Sequence, residues 1–421
     1  MICVLLAVIV LGGCARVSGP ERTIELWAMG QEGDAAARLV ADFERANPTL
    51  RVRVQQIPWS AAHEKLLTAF VGGTMPDVFQ LGNTWVPELT ALGALEPIDD
   101  RVAASAIDTA DYFEGILDAN VVGGRLRALP WYVDTRLLYY RSDLLAAAGY
   151  DVPPRSWDQW VTSMQRVRER GGPGAYAILL PMTEWEPPVI FALQAGARLL
   201  RDGGRFGNFR SRPFRTGFEL YVSLFREALA PTAGAAQVAN LYQDFAAGYF
   251  SFYISGPWNL AEFRRRLPPA LDDAWATAPM PSPHGGEPGV SLAGGASLAV
   301  AASAADKEAA WRLLAHLSET GQQLALYHAT GDLPARKSAW TAGGLADEDR
   351  TRAFWLQLAH VRSTPKVPEW ERIAAKIARH AEAAVRGSVT VGEALAALDA
   401  DADRILEKRR WMLARHPEAA P

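Results

Sequence analysis

The chain has 421 residues, more than one hydrophobic core usually accommodates, so two domains are expected. Apolar residues make up 49% and charged residues 21%, which excludes a disordered or fibrous protein. A net charge of −4, with no Lys/Arg run longer than "RRR" at 264–266, argues against a nucleic-acid partner.

The chain opens on "ICVLLAVIVL" at 2–11, an unbroken apolar run. It is too short to span a bilayer and has the length of a signal-peptide core. "LGGC" at 11–14 follows at once and resembles the bacterial lipoprotein cleavage box, although no Lys or Arg precedes the apolar run. That resemblance makes 1–14 a lipoprotein signal peptide with its lipobox, and Cys14 the lipidated first residue of the mature chain. Cys3 and Cys14 are the two cysteines, so no disulfide, catalytic thiol or thiolate metal site is expected beyond them. No later apolar run reaches the length of a membrane span, so the membrane is expected to be met through the lipid alone.

Strand and helix signals then alternate. "TIELWAM" (23–29) reads as a strand, and Asp34 is an N-cap candidate for a helix carrying Ala36, Leu39, Val40 and Phe43 on one face. Asn47-Pro48 ends that helix, "RVRVQQI" (51–57) is a second strand, and a helix over 60–71 leads to the buried strand "DVFQL". This order predicts an α/β domain with parallel pairing. "LRALPWYV" and "RLLYYR" read as extended, and Ser156 caps the helix of "SWDQWVTSMQRVRER". Further strands are "AYAILL", "YFSFYIS", "AWATAPM" and "ASLAVAAS", with a Pro/Gly-rich segment at 279–295. Residues 306–318 are an amphipathic helix, and beyond about 345 the chain is almost wholly helical.

No P-loop, dinucleotide, GxSxG or HExxH motif occurs. No cofactor or metal is expected. What recurs instead is an aromatic, a polar group and a Gly or Pro beside a strand end. Examples are "WAMGQEGD" (27–34), "FQLGNTW" (79–85), "LPWYVDTR" (129–136), "MTEWEPP" (182–188), "ISGPWN" (254–259), "SLAGGAS" (291–297), "TGDLPAR" (330–336) and "VPEW" (367–370). Loops at the carboxyl ends of parallel strands are where α/β sheets take ligands. Aromatic faces stack on the C–H faces of sugar rings, and carboxylates and amides pair with hydroxyls. The 14 Trp and 11 Tyr exceed what a core of this size needs, which fits such a surface.

Taken in order, these segments resemble the extracellular solute-binding proteins of carbohydrate ABC importers, of the maltose-binding type, from about residue 22 to about 412. The resemblance implies a two-lobe α/β fold, the type II periplasmic-binding-protein fold, with a ligand cleft between lobes joined by hinge strands. It divides the chain into a first lobe of 22–132 plus 293–320 and a second of 133–292 plus 321–412, with crossings near 130–137, 288–295 and 317–322. It places Gln31, Glu32 and Asn83 (with Trp85 nearby) on the first lobe as hydroxyl ligands. Trp131, Tyr132 and Asp134 fall on the first hinge segment, Glu184 and Trp185 on a second-lobe loop, and Trp258 is the leading stacking ring. Gly294 and Gly295 let the backbone approach the sugar, Arg336 reaches a hydroxyl, and Trp370 closes the cleft. Tyr139 and Tyr140 face opposite sides of one strand and are mainly structural.

The implied function is the substrate-binding component of a sugar importer, taking a di- or oligosaccharide of the maltose or trehalose class. It would work as a monomer at the periplasm or cell surface, alongside the permeases and their ATPase, with no catalysis. Two other readings stand beside it. One is a carbohydrate hydrolase pairing Asp134 with a Glu. The other is a receptor for a non-sugar solute.

Overall fold

The computed structural model describes residues 21–232 and 240–415; the apolar leader and Cys14 lie outside the described residues. Among them, no helix is long and apolar enough to cross a membrane.

Two sheets organise the chain. The first has six strands in the order Leu333–Pro334, Leu129–Asp134, Gly294–Val300, Val78–Gly82, Arg22–Met29 and Leu50–Ile57. Arg22–Met29 runs parallel to both Leu50–Ile57 and Val78–Gly82, as strand–helix–strand crossovers require. Its side chains alternate between two cores, Ile24, Leu26 and Ala28 in one and Trp27 and Met29 in the other. Burial on both faces is confined to its second half, Leu26–Met29, which is why "LWAM" carries no charged residue. The following helix, Gly30–Ala46, starts before Asp34 and is not capped by it. Gly30, at φ +49, turns the strand straight into the helix. The first turn therefore carries Glu32, and Asp34 accepts a hydrogen bond from Gln56 Nε2 at 3.1 Å.

The second sheet runs Trp275–Ala278, Leu137–Arg141, Phe252–Ser255, Ile178–Leu179. Leu137–Arg141 pairs antiparallel with both of its neighbours. Tyr139 faces one side, 4.9 Å from Phe263, and donates its hydroxyl to Gly256 O at 2.7 Å. Tyr140 faces the other, beside Phe252. Both are structural, as the alternation requires. The Tyr140 side is covered by helices Trp157–Gly171, Glu186–Gln194, Arg212–Arg226 and Trp370–Val385. Trp157–Gly171 opens on the expected Ser156 cap, completed as a capping box by Gln159. A Cβ on Gly217 would lie 2.3 Å from the Phe191 and Ala192 backbone, so Arg212–Arg226 seats Glu186–Gln194 backbone to backbone. That contact fixes the start of the second helix, where Trp185 and Glu186 stand.

The chain crosses between sheets three times. The first crossing is Asp134 to Leu137, and the second lies between Ala278 and Gly294, where Ser291–Leu292 pairs with Val361–Arg362. The third is not near 317–322. Helix Thr320–Thr330 packs on Gly30–Ala46, and Leu333–Pro334 pairs with Leu129–Asp134. Trp340 then donates to Pro334 O at 2.7 Å. Only beyond Gly343 does the chain reach the second sheet, where Arg350 O accepts from Thr277 Oγ1 at 2.7 Å. Residues 321–343 therefore pack with the first lobe, and so do 133 and 134. An amphipathic helix does not encode which sheet it covers, and the strand that settles the matter is only two residues long.

Candidate functional site

The carboxyl ends of Val78–Gly82 and Leu129–Asp134 meet the start of Gly294–Val300 at one end of the central strands of the first sheet. A cavity opens there, with Asn83, Trp59, Trp85 and Asp134 on the first-lobe side and Trp185, Glu186 and Thr364 on the other. It is an interlobe cleft at the strand ends, where α/β sheets hold ligands.

Behind Trp59 of that wall, buried polar groups fix one another. Glu32 is buried and accepts from Tyr132 Oη at 2.7 Å and from Trp59 Nε1 at 3.2 Å. Gln80 Nε2 lies 3.3 Å from Tyr132 Oη, and Gln80 Oε1 accepts from the Met29 amide at 2.7 Å. Burial, followed by the Glu32 charge, pushes the Tyr132 phenol well above its ordinary range, so it is a fixed donor to Glu32. Asn83 donates from Nδ2 to Gly294 O at 3.2 Å, and Ser297 Oγ donates to Asn83 Oδ1 at 2.8 Å. Gln31 is exposed, donates to Thr330 O at 3.3 Å and is not among the residues that border the cavity.

Charge concentrates where the lobes meet. Arg136 Nη2 lies 3.1 Å from Glu186 Oε1, Nη1 lies 3.6 Å from Asp134 Oδ1, and the guanidinium stacks 4.4 Å from the Trp258 ring centre. Burial works against the Arg136 charge, but Asp134, Glu186 and Glu184 outweigh it and hold the group above its ordinary range. Burial raises the Asp134 carboxyl, with Arg136 opposing. Glu184 is pushed to about 7 by burial. Asp332 is also raised to about 7, by burial and then by Glu32. Its Oδ2 is buried without a hydrogen-bond partner, next to the strand pair Leu333–Val133.

Asp332 yields a stability prediction. Its ordinary value is 3.8, so between there and about 7 the folded state holds a proton that the unfolded state has lost. Stability therefore falls as pH rises through that window. Asp332→Asn should raise the melting temperature at pH 8 and leave it nearly unchanged at about pH 4, a difference readable by calorimetry as at least about 1 kcal/mol. Equal effects at both pH values would contradict the assignment.

Several expected site residues lie elsewhere. Trp131 is 0% exposed, in the first-lobe core, because adjacent strand residues face opposite ways and Tyr132 takes the Glu32 side. Trp370 is also 0% exposed; it packs edge-on, 5.4 Å from Trp185, and supports that ring without reaching the cleft itself. Arg336 donates from Nε to Asp111 at 2.7 Å and from Nη1 to Ser318 O at 3.3 Å, which ties it to the first lobe away from the cavity. Gly294 and Gly295 do line the cavity, but their lack of a side chain serves strand pairing. Gly295 sits at φ +120, and a Cβ there would lie 2.4 Å from Tyr132 O. Trp258 is half-buried under Arg136, while Trp185 borders the cavity directly. Arg136, Glu186 and Asp332 were present in the quoted motifs without being singled out as site residues. Trp59 was missed although Pro58 and Trp59 directly follow the strand Leu50–Ile57 and show the same pairing of an aromatic with a Pro at a strand end.

The cleft therefore presents aromatic rings from both lobes, two carboxylates (Asp134 and Glu186) and the Asn83 amide around the Arg136 guanidinium. Such a wall can stack on a flat ring and accept hydroxyl hydrogens. Among the described residues, no group of three or more His, Cys, Asp or Glu is placed to hold a metal ion.

Comparison with known proteins agrees with this architecture. A solved structure of the sugar-binding protein MalE from Xanthomonas citri is 47% identical, with a TM-score of 0.90, covering 93% of this chain and 99% of that one. The GacH receptor of Streptomyces glaucescens, solved unliganded and with acarbose, shares the fold at a TM-score of 0.79 and 21% identity, over 92% of this chain and 99% of its own. The diacetylchitobiose binding protein DasA of Streptomyces coelicolor is 26% identical over 357 residues, which is 83% of this chain and 81% of that protein. Residues 29–324 match the family described as bacterial extracellular solute-binding protein. The chain belongs to that family, and its two-lobe α/β fold is the family's fold.

Proposed function

We propose that this protein is the substrate-binding subunit of an ABC sugar importer, closing its two lobes on a di- or oligosaccharide of the maltose or trehalose class. The observation that carries the reading is the pairing across one cavity of Trp185 and Glu186 with Asn83 and Asp134. A ligand held between them contacts both lobes only when they are together, so it favours the closed state. Similarity to a MalE protein and to a diacetylchitobiose binding protein supports a saccharide ligand. On this reading Cys14 carries the lipid anchor, the monomer works outside the cytoplasmic membrane, and permeases with their ATPase receive the sugar. A thermal-shift series over mono-, di- and trisaccharides tests it, because a ligand of the native state raises the melting temperature by mass action. Maltose or trehalose should give the largest rise, by several degrees at saturating concentration. A series in which no saccharide shifts the transition would remove the reading.

One observation favours a second reading. Burial pushes Glu184 up to about 7, the range of a glycosidase general acid, and the Glu186 charge adds to it. Incubation with the stabilising sugar decides between the two: binding alone leaves it intact, and hydrolysis releases reducing ends.

A further inference from the structure

The second lobe carries a pocket that sugar recognition does not account for. It lies between the turn after helix Glu186–Gln194, the hairpin of Leu200–Arg201 with Phe206–Gly207, and the segment 362–367, and encloses about 350 Å³. Thr364 lines both this pocket and the interlobe cleft, so the two adjoin. Arg198, Arg362 and Lys366 line it, with Ser363 between the last two, and among the described residues no carboxylate does. Both arginines are exposed, and neither guanidinium is engaged by another described residue. Lys366 Nζ lies 2.6 Å from Asp118 Oδ1, and Ser363 Oγ donates to Asp118 Oδ2 at 2.9 Å. An ammonium has three hydrogens, so that pairing leaves Lys366 with donors to spare. Asp202, next to the lining Gly203, is taken by Arg201 at 2.9 Å.

A second observation points the same way. Arg409, on helix Glu407–Arg415, is 6% exposed, and its Nε and Nη2 are buried without a hydrogen-bond partner. They stand behind the pocket wall: a Cβ on Gly204, which lines the pocket, would lie 3.7 and 3.8 Å from them. Burial holds Arg409 below its ordinary range, with Glu369 opposing, yet no ion pair joins those two among the described residues. Glu369 Oε2 is itself buried without a partner. Buried polar groups are normally partnered, and an uncompensated buried cation is costly. An anion in the adjoining pocket supplies charge of the right sign.

We propose that this pocket is an oxyanion site of the second lobe, which takes the phosphate or carboxylate group of a small organic molecule on Arg198, Arg362 and Lys366. The two guanidinium forks present paired N–H donors that match the oxygen spacing of either group, and the ammonium adds a point charge. Arg409 contributes charge from behind the wall without touching the anion. A pocket of about 350 Å³ also leaves room for the carbon skeleton that carries the group. The proposal goes beyond the sugar reading and does not rest on it, since none of these three cations borders the interlobe cleft.

Titration calorimetry on the full chain with inorganic phosphate, glucose 6-phosphate and glucuronate, in chloride buffer, is the test. At least one of the three should bind with a Kd of about 1 mM or tighter. Glucose 6-phosphate above inorganic phosphate assigns the site to a phosphate ester, inorganic phosphate above its ester to the free ion, and glucuronate above both to a carboxylate. Arg198→Gln combined with Arg362→Gln should weaken that binding by about tenfold or more. Both side chains are exposed and unpaired, so the double variant should melt as the native protein does. Arg155→Gln with Arg226→Gln removes the same charge from exposed positions of the same lobe outside the pocket and should leave the affinity unchanged. Equal losses in the two double variants would mean attraction by net charge alone and would overturn the proposal. So would native affinity in the Arg198/Arg362 variant, or no binding of any of the three anions at up to about 10 mM.

Discussion

Arg136→Ala should weaken sugar binding by about 100-fold, measured by calorimetry with the saccharide that most raises the melting temperature. Arg136 stands in the first crossing between sheets and is the only cation that faces both Asp134 and Glu186 in the described cleft. Asp134 belongs to the first sheet, and Glu186 to the start of a second-lobe helix. All three side chains are mostly buried, so screening by water is limited. Removing the cation leaves two carboxylates facing each other in the closed cleft. Breaking a buried pair in this way costs about 3–5 kcal/mol, of which about 3 kcal/mol already equals the expected loss in affinity. Arg136→Lys should recover part of it, because an ammonium keeps the charge but not the planar stacking on Trp258. Affinity within about threefold of native for the alanine variant would remove Arg136 from the clamp.

Trp185→Ala should cost about tenfold or more in affinity, and Trp185→Phe much less. The ring borders the cavity from the second lobe, and Trp370 holds it edge-on from behind, 5.4 Å away. A stacked ring contributes through buried area and through geometry, about 0.5–1.5 kcal/mol for the second part alone. Trp258, the stronger candidate from sequence, has its face taken by Arg136 at 4.4 Å. Its loss should therefore act through the guanidinium it supports. The contrast is measurable: Trp185→Ala lowers affinity with Arg136 present or absent, whereas Trp258→Ala adds little once Arg136 is gone. Additive losses at Trp258 would show that its ring meets the ligand directly.

Much of the fold was legible because its signals are local. Alternation marked the strands around Ile24 and Val52, and the Ser156 cap marked a helix start where the structure has one. The third crossing was not legible, because Thr320–Thr330 chooses its sheet through the two-residue strand Leu333–Pro334. The site divided in the same way. Motifs at strand ends held Asn83, Asp134 and Trp185, which border the cavity, and Glu32 and Tyr132, which bond to each other behind Trp59. Trp131 was chosen for its chemistry although the alternation that placed Tyr132 toward Glu32 turns it the other way. Arg336 was chosen from a loop whose partner, Asp111, is 225 residues away. Asp332 lies in the same loop, yet its buried, unpaired oxygen exists only because two distant strands meet. Pairings across such separations leave no trace in periodicity or spacing.

The central claim is that the cleft closes on an intact saccharide. Co-crystallisation with the sugar that most raises the melting temperature tests it most directly. The account predicts that sugar uncleaved between the lobes, with a ring against Trp185 and hydroxyls on Asn83 and Asp134. A cleaved sugar, or one bound outside this cleft, would contradict it.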